Sequence, residues 1–177
     1  MYITIKNIKG EKSINLNSII SDNNEICLSS FFSENIKYIF PKRLTIEHNN
    51  NKQIILKGVH TYREINSLIT GEKIESNDME IINKLKNITE LRFLINEIDN
   101  SDSIFDESYS NVVYNYYLIK YEGLTYHEPI NRNYIKLKSN ISSFTISIQD
   151  QNGNTIDDSL GIDVTLHIKK KPININK

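Results

Sequence analysis

The feature that most limits how this chain can fold is a two-residue rhythm near its C-terminal end. Phe144, Ile146 and Ile148 alternate with Thr145, Ser147 and Gln149, and Val164, Leu166 and Ile168 alternate with Asp163, Thr165, His167 and Lys169. Successive side chains of a β-strand point to opposite faces, so each run predicts a strand with one face in a core. Ile3 and Ile5 alternate with Thr4 and Lys6 in the same way. Because both ends alternate cleanly, the terminal strands are predicted to be adjacent in the core. Composition points the same way: Ile and Asn make up roughly a third of the 177 residues, while Ala and Trp are absent. Ile is β-branched and packs well on a pleated surface, which favours sheet. The skew also fits an AT-rich genome. It devalues any motif containing Asn, so the sequons Asn87-Ile88-Thr89 and Asn140-Ile141-Ser142 are taken as chance.

Further runs share the period. Leu44 and Ile46 alternate with Arg43, Thr45 and Glu47; EICLSSFF and IKYIF read as short strands, and QIILKGV as a buried strand ending at Gly58. NVVYNYYLIKYEG is a tyrosine-rich strand whose rings suit a core edge or a contact surface, with core packing preferred. The middle of the chain changes period. Thr61 and Glu64 form a capping box, Tyr62, Ile65, Leu68 and Ile69 fall on one helical face, and Gly71 is a natural stop, which predicts a helix over 62–70. A second helix is expected from about Asn77, where Asn77 and Glu80 can cap and Ile81, Ile82, Leu85 and Ile88 recur at helical spacing. ELRFLINEI carries both periods, since Leu91, Phe93 and Ile95 also alternate, and is assigned to helix. Residues 99–111 are acidic and serine-rich and predict an exposed loop. Residues 171–177 read as a flexible or partner-bound arm, and 1–177 as a single domain.

A formal net charge of -1 leaves no global field to draw the chain onto nucleic acid or an anionic membrane. No run approaches the roughly 18 apolar residues of a spanning helix. The opening MYITIKNIKGEK lacks the apolar stretch of a signal peptide. The expectation is a soluble chain, intracellular when made and without a membrane partner.

The segment DQNGNTIDD, residues 150–158, has the look of a calcium loop. Asp150, Asn152 and Asn154 match positions one, three and five of an EF-hand. Gly153 then stands at position four, Thr155 where the loop needs Gly, and Gly161 where it needs a bidentate Glu. The preferred reading is an Asn-Gly turn whose Asp and Asn side chains bond local backbone. A looser calcium site of Asp150, Asp157 and Asp158 is the alternative. His48, His60, His127 and His167 are scattered, and none pairs with another or with Cys27 at a zinc-ligand spacing. The single cysteine, Cys27, excludes an intrachain disulfide and, between Ile26 and Leu28, predicts a buried and inert thiol. A cysteine nucleophile would need a histidine brought to it by the fold. Neither G-x-S-x-G, a phosphate loop nor G-x-G-x-x-G occurs. Lys169, Lys170 and Lys171 read as a solvated strand edge, with contact to packaged nucleic acid as the alternative. No catalytic, cofactor-binding or metal residue is therefore expected, and no cofactor.

Two longer patterns remain. YIKLKSNISSFTISIQDQNGNTIDDSLGIDVTLHIKKK resembles a C-terminal pattern of small virion proteins from Polinton-like viruses, adintoviruses and virophage-like elements, carried by Ile146, Ile148, Asp150, Asn152, Gly153, Ile156, Val164, Leu166, His167, Ile168 and Lys169. LTIEHNNNKQIILKGVHTYREINSLI is similar to a strand-Gly-helix element of the same proteins through Gly58, Tyr62, Glu64, Ile65, Asn66 and Leu68, with Val59, His60 and Thr61 as a departure. The resemblance covers about half of the chain. It implies a jelly-roll-like antiparallel β-sandwich with one or two short helices inserted mid-chain. It also implies a noncatalytic minor capsid, vertex or spike-associated role in a virion, with copies of itself or other capsid proteins as partners. The rival reading is a binding module, such as a tail-fibre, adhesin or carbohydrate-recognition domain, using the tyrosines between Tyr109 and Tyr126 as its contact surface. An enzyme is the least favoured class.

Overall fold

The structure, a computed structural model, describes residues 1–20, 24–33, 43–47, 53–57, 62–99, 111–117, 126–156 and 161–170. The terminal runs pair as their alternation predicts. Strand β1 (Tyr2–Ile8) lies antiparallel to β11 (Ile162–Lys170), with Ile3 opposite Leu166 and Ile5 opposite Val164. The register then slips, so that Ile8 meets Ile162. Ile5 and Ile8 are three residues apart and would face opposite ways in a regular strand. The slip turns both inward, where they are 3% and 2% exposed. Asn7 takes a left-handed conformation there (φ 48°) and donates its N–H to the Asp163 carboxylate at 2.6 Å. Asn tolerates that region far better than a β-branched residue would.

Beyond β11 comes β3 (Asn24–Ser33), and along the far side of β3 lie β8 (Tyr126–His127) and β9 (Ile135–Lys136) in succession. The first sheet therefore has the order β1-β11-β3-β8, with β9 also on β3. The second has the order β2-β10-β6-β7, formed by β2 (Glu11–Ile20), β10 (Ile141–Gln149), β6 (Glu90–Ile95) and β7 (Val112–Tyr117). All of these pairings are antiparallel. Taking β8 and β9 as one interrupted strand, the pairs nest: β1 with β11, β2 with β10, β3 with β8 and β9, and β6 with β7. Every connection except β6 to β7 passes from one sheet to the other. That is a long antiparallel hairpin wound over itself, the eight-stranded jelly roll.

The roll carries an insert between β3 and β6. It contains a two-stranded hairpin, β4 (Arg43–Glu47) with β5 (Gln53–Lys57), then helices α1 (Tyr62–Thr70) and α2 (Ser76–Asn87). Helix α1 spans the predicted residues. It ends as expected, with Gly71 at φ 78° donating its N–H to the Ser67 carbonyl at 2.8 Å. The assignment of ELRFLINEI to helix is overturned: Glu90–Ile95 is β6, with Leu91, Phe93 and Ile95 fully buried. Its period-two signal was the operative one, because β10 and β7 flank it on both sides. Strands β2 and β8 were not anticipated. IKYIF, the loop over 100–110 and the arm at 171–177 lie outside the described residues.

The two sheets close on one apolar interior. Phe31 of β3 meets Phe93 of β6 and Tyr116 of β7 across it, at ring-centroid distances of 5.1 and 5.0 Å. Phe31, Phe93 and Phe144, together with Leu28, Leu91, Ile95, Ile146 and Leu166 from both sheets, belong to one contiguous cluster. Burying each Phe contributes about 2–3 kcal/mol, so the sandwich is held chiefly by this layer.

Candidate functional site

The 150–158 segment is a turn organised by its own side chains. The Asp150 Oδ1 accepts the N–H groups of Asn152 and Asn154 at 2.8 and 2.9 Å, and its Oδ2 accepts the Asn154 side-chain amide at 3.1 Å. Gly153, at φ 81°, closes the turn by donating its N–H to the Asp150 carbonyl at 3.1 Å. Burial works to raise the Asp150 carboxyl. The hydrogen bonds from Asn154 and Asn152, with the Arg92 charge, outweigh it and hold the group below its usual range. Oδ1 thus serves the backbone of the turn, as the Asn-Gly reading expects, and Oδ2 holds the Asn154 side chain. Asp157 and Asp158 lie outside the described residues.

Next to Asp150, Gln151 fastens the turn to the insert. Its side-chain amide donates to the Asn87 carbonyl at 2.9 Å, and its carbonyl accepts the Thr89 N–H at 3.0 Å. Gln151 thereby satisfies a carbonyl at the end of α2, where the intrahelical ladder runs out. Between the turn and α2 lies a groove of about 370 Å³, with Ile88 and Ile156 among its lining and Lys84, Asn152 and Asn154 as polar groups.

Cys27 is fully buried, as expected, but on the outer side of the first sheet rather than in the interior. Its register partner is His167, whose own partner is Tyr2, and residues directly opposite share a face. Tyr134 completes the cover, its hydroxyl 2.6 Å from His167 Nδ1. Burial pushes the thiol up. Tyr134, Arg132, the His167 backbone and Lys169 oppose this without reversing it. A reactive cysteine needs access and a lowered value, and Cys27 has neither. The fold does bring a histidine close, but with a phenol beside it and in a setting that keeps the thiol protonated. Sequence spacing could not have placed His167 there, because the pairing joins residues 140 positions apart.

His127 occupies the other edge of the roll. Its Nε2 is 2.7 Å from the Tyr114 hydroxyl, and Phe31 and Tyr116 pack against its ring at 5.3 and 4.5 Å. Because Tyr114 belongs to the second sheet and His127 to the first, this bond ties the sheets together at β7 and β8. Burial lowers His127 and raises Tyr114 and Tyr116. Tyr114 and Tyr116 are thus half-buried and pack against the interior, as preferred above. Tyr117 and Tyr126 are 62% and 52% exposed, but on different sheets.

Of the lysine run, Lys169 ion-pairs with Glu25 at 3.6 Å and lies 3.6 Å over the Tyr134 ring, while Lys170 ends β11. Lys171, His48 and His60 lie outside the described residues. Among the described residues no three His, Cys, Asp or Glu side chains converge as a metal site requires, and no helix is long and apolar enough to cross a membrane.

No protein-family model matches the chain, and no curated protein does. Among solved structures it is similar to the mavirus penton protein, at 10% identity over 97% of this chain and 99% of that one, with a TM-score of 0.48. It is also similar to a protein from Sulfurospirillum deleyianum, at 13% identity over the same shares and a TM-score of 0.27. Likeness at this level carries no argument about activity, and the jelly roll is read from the strand pairing alone.

Proposed function

We propose that this chain is a noncatalytic structural component of a viral or virus-like particle, a minor capsid, vertex or spike-associated protein acting through protein-protein contacts. The observation that carries the reading is the nested strand order of a jelly roll whose interior is filled by Phe31, Phe93 and Phe144. Jelly rolls serve viral capsids, lectins and cupins alike, so fold alone does not choose among them. Two further observations support the particle. Cys27 and Asp150, the residues with most chemical promise, are spent on packing and on a turn. In addition, the residues that resemble virion proteins of virophage-like elements sit at positions that build the roll: Ile146, Ile148, Val164, Leu166 and Ile168 in the interior and Gly153 in the turn. Its partners are then copies of itself or other capsid proteins, and its place is the virion. The binding-module reading keeps only part of its tyrosine surface among the described residues, since Tyr114 and Tyr116 turn inward against Phe93 and Phe31 while Tyr117 and Tyr126 stay exposed on different sheets.

The test is quantitative mass spectrometry of particles purified from cells that carry this gene. The chain is expected at a fixed ratio to the major shell protein. Its absence from the particles, together with glycan binding by the isolated chain, would overturn the reading in favour of a binding module.

A further inference from the structure

We propose that the outer face of the β1-β11-β3-β8 sheet is a self-association surface, whose partner is a second copy of this chain docked on the same face about a two-fold axis, with Ile130 as the anchor. The inference deepens the assembly reading and rests on it for its biological setting.

Exposed apolar and aromatic groups stand at both ends of this face and on the loop beside it. Tyr2 and Tyr126 are 58% and 52% exposed, Phe32 is 36% exposed, and Ile130 is 98% exposed. Tyr2 stands opposite His167 and Phe32 opposite Tyr126, on the side away from the interior. Ile130 belongs to the segment between β8 and β9. Those two strands pair β3 at Phe31 to Phe32 and at Glu25 to Ile26, and the residues between them outnumber the stretch of β3 they span. The excess must loop out, and Ile130 rides on that loop.

The loop is held in place from both ends. Arg132 donates to Glu128 at 3.0 Å and to the Tyr2 hydroxyl at 3.2 Å, and the Tyr126 hydroxyl donates to Glu128 at 3.4 Å. Tyr134 is fixed by His167, at 2.6 Å. A nearly fully exposed isoleucine on a tethered loop loses little conformational freedom when it is buried by a partner, which is the condition for an effective anchor. Tyr and Arg around an apolar centre are also the residues enriched where binding energy concentrates.

Charge selects the partner. Arg132 pairs with Glu128, and Lys169 with Glu25, so the face carries cations and anions side by side. Such a face has no single-signed field to select a nucleic acid or an anionic membrane. It is complementary to itself: a two-fold rotation can set Arg132 of one copy near Glu128 of the other. Strand lengths set the size: β1, β11 and β3 have seven, nine and ten residues, and β8 and β9 two each. At about 3.3 Å per residue and about 4.8 Å between strands the face measures roughly 480 Å². Two copies together would bury about 950 Å², the size of a weak complex.

Sedimentation equilibrium of the full chain over about 1–100 µM, the weak end for interfaces of this size, tests the proposal. The wild type is expected at the dimer mass. Ile130→Asp is expected to dissociate about 30-fold or more readily, as loss of a central anchor does, with an unchanged melting temperature at dilutions where both chains are monomers, because the side chain touches so little of its own chain. Tyr117→Asp, an exposed change on the other sheet, is expected to leave the dimer intact. A monomeric wild type, a mass other than the dimer, an undisturbed Ile130→Asp dimer, or equal dissociation by both variants would each overturn the inference. A chain found in particles yet monomeric in solution would end this inference and leave the particle reading standing. A dimer that depends on Ile130, in a chain absent from particles, would do the reverse.

Discussion

Outside the β2-β10-β6-β7 sheet, several side chains bond one another, although Asn115 Oδ1 is buried without a hydrogen-bond partner. Ser13 and Thr145 bond at 3.2 Å, Ser147 is 3% exposed, and Arg92 grips Glu90 with two hydrogen bonds, at 3.0 and 3.2 Å. Outside the β1-β11-β3-β8 sheet, the strands and the β8-β9 loop leave Tyr2, Phe32, Tyr126 and Ile130 facing water. Both sheets obey the same alternation and close on the same interior. The alternation therefore dictates which side chains turn inward but leaves the outer faces unconstrained, and the two have been used differently. One is largely finished within the chain, with Tyr117 as its exposed large apolar side chain among the described residues, and the other keeps Tyr2, Phe32, Tyr126 and Ile130 in water, the surface proposed above for a second copy.

If the faces differ only in what covers them, the largest effects must come from the interior they share. Phe93→Ala is expected to cost about 3–5 kcal/mol, the usual loss for a fully buried Phe, and denaturant unfolding would read it directly. A loss below about 1 kcal/mol would mean the sheets do not pack across Phe31 and Phe93 as described.

The finished face should be the next most sensitive. Glu90→Gln leaves Arg92, 16% exposed, without its bidentate partner and is expected to cost about 2 kcal/mol, between the values for surface and fully buried pairs. An equal loss from Arg132→Gln on the other sheet would erase the distinction, since the Arg132 pair is 33% and 51% exposed.

Acid should separate the sheets as well. Burial is the first cause holding both His127 and His167 below the ordinary histidine value, and for His167 nearby cations add to it. The unfolded chain therefore binds protons at a higher pH than the folded chain. Stability is full above about pH 6.5 and is lost as the pH falls from there through the folded values. Among the described residues both histidines lie on the first sheet. His127→Gln, which can still bond Tyr114 but does not titrate, should flatten part of the slope of melting temperature between pH 7 and 5. An unchanged slope would assign the proton uptake elsewhere.

Smaller effects belong to the turn between the sheets. Asp150→Ala is expected to cost about 1 kcal/mol, the scale of local hydrogen bonds, and calcium should raise the melting temperature of neither protein. Calcium stabilisation of the wild type alone would turn the segment back into a metal loop.

Much of the interior was legible in the residues. Ile146, Ile148, Val164 and Leu166 lie where a period of two puts them, and Asp150 caps its turn as Asp commonly does. Leu91, Phe93 and Ile95 carried the same signal, but it was overruled by helix-compatible neighbours. A strand flanked on both sides draws its stability from β10 and β7, which no local window contains. The nested pairing is non-local for the same reason. Of the candidate contact face only Tyr126 was legible, as one of the tyrosines offered for a contact surface. Tyr2, Phe32 and Ile130 are far apart in sequence and share no period, and the exposure of Ile130 depends on a loop created by the interruption between β8 and β9.

Hydrogen exchange by mass spectrometry, run on the chain at dilute and at concentrated conditions, compares the two faces in one measurement. Division of labour between them predicts new protection on concentration in peptides covering 126–134 and 162–168, with 90–95 and 143–149 unchanged. Protection confined to the second sheet, or spread evenly over both, would contradict it.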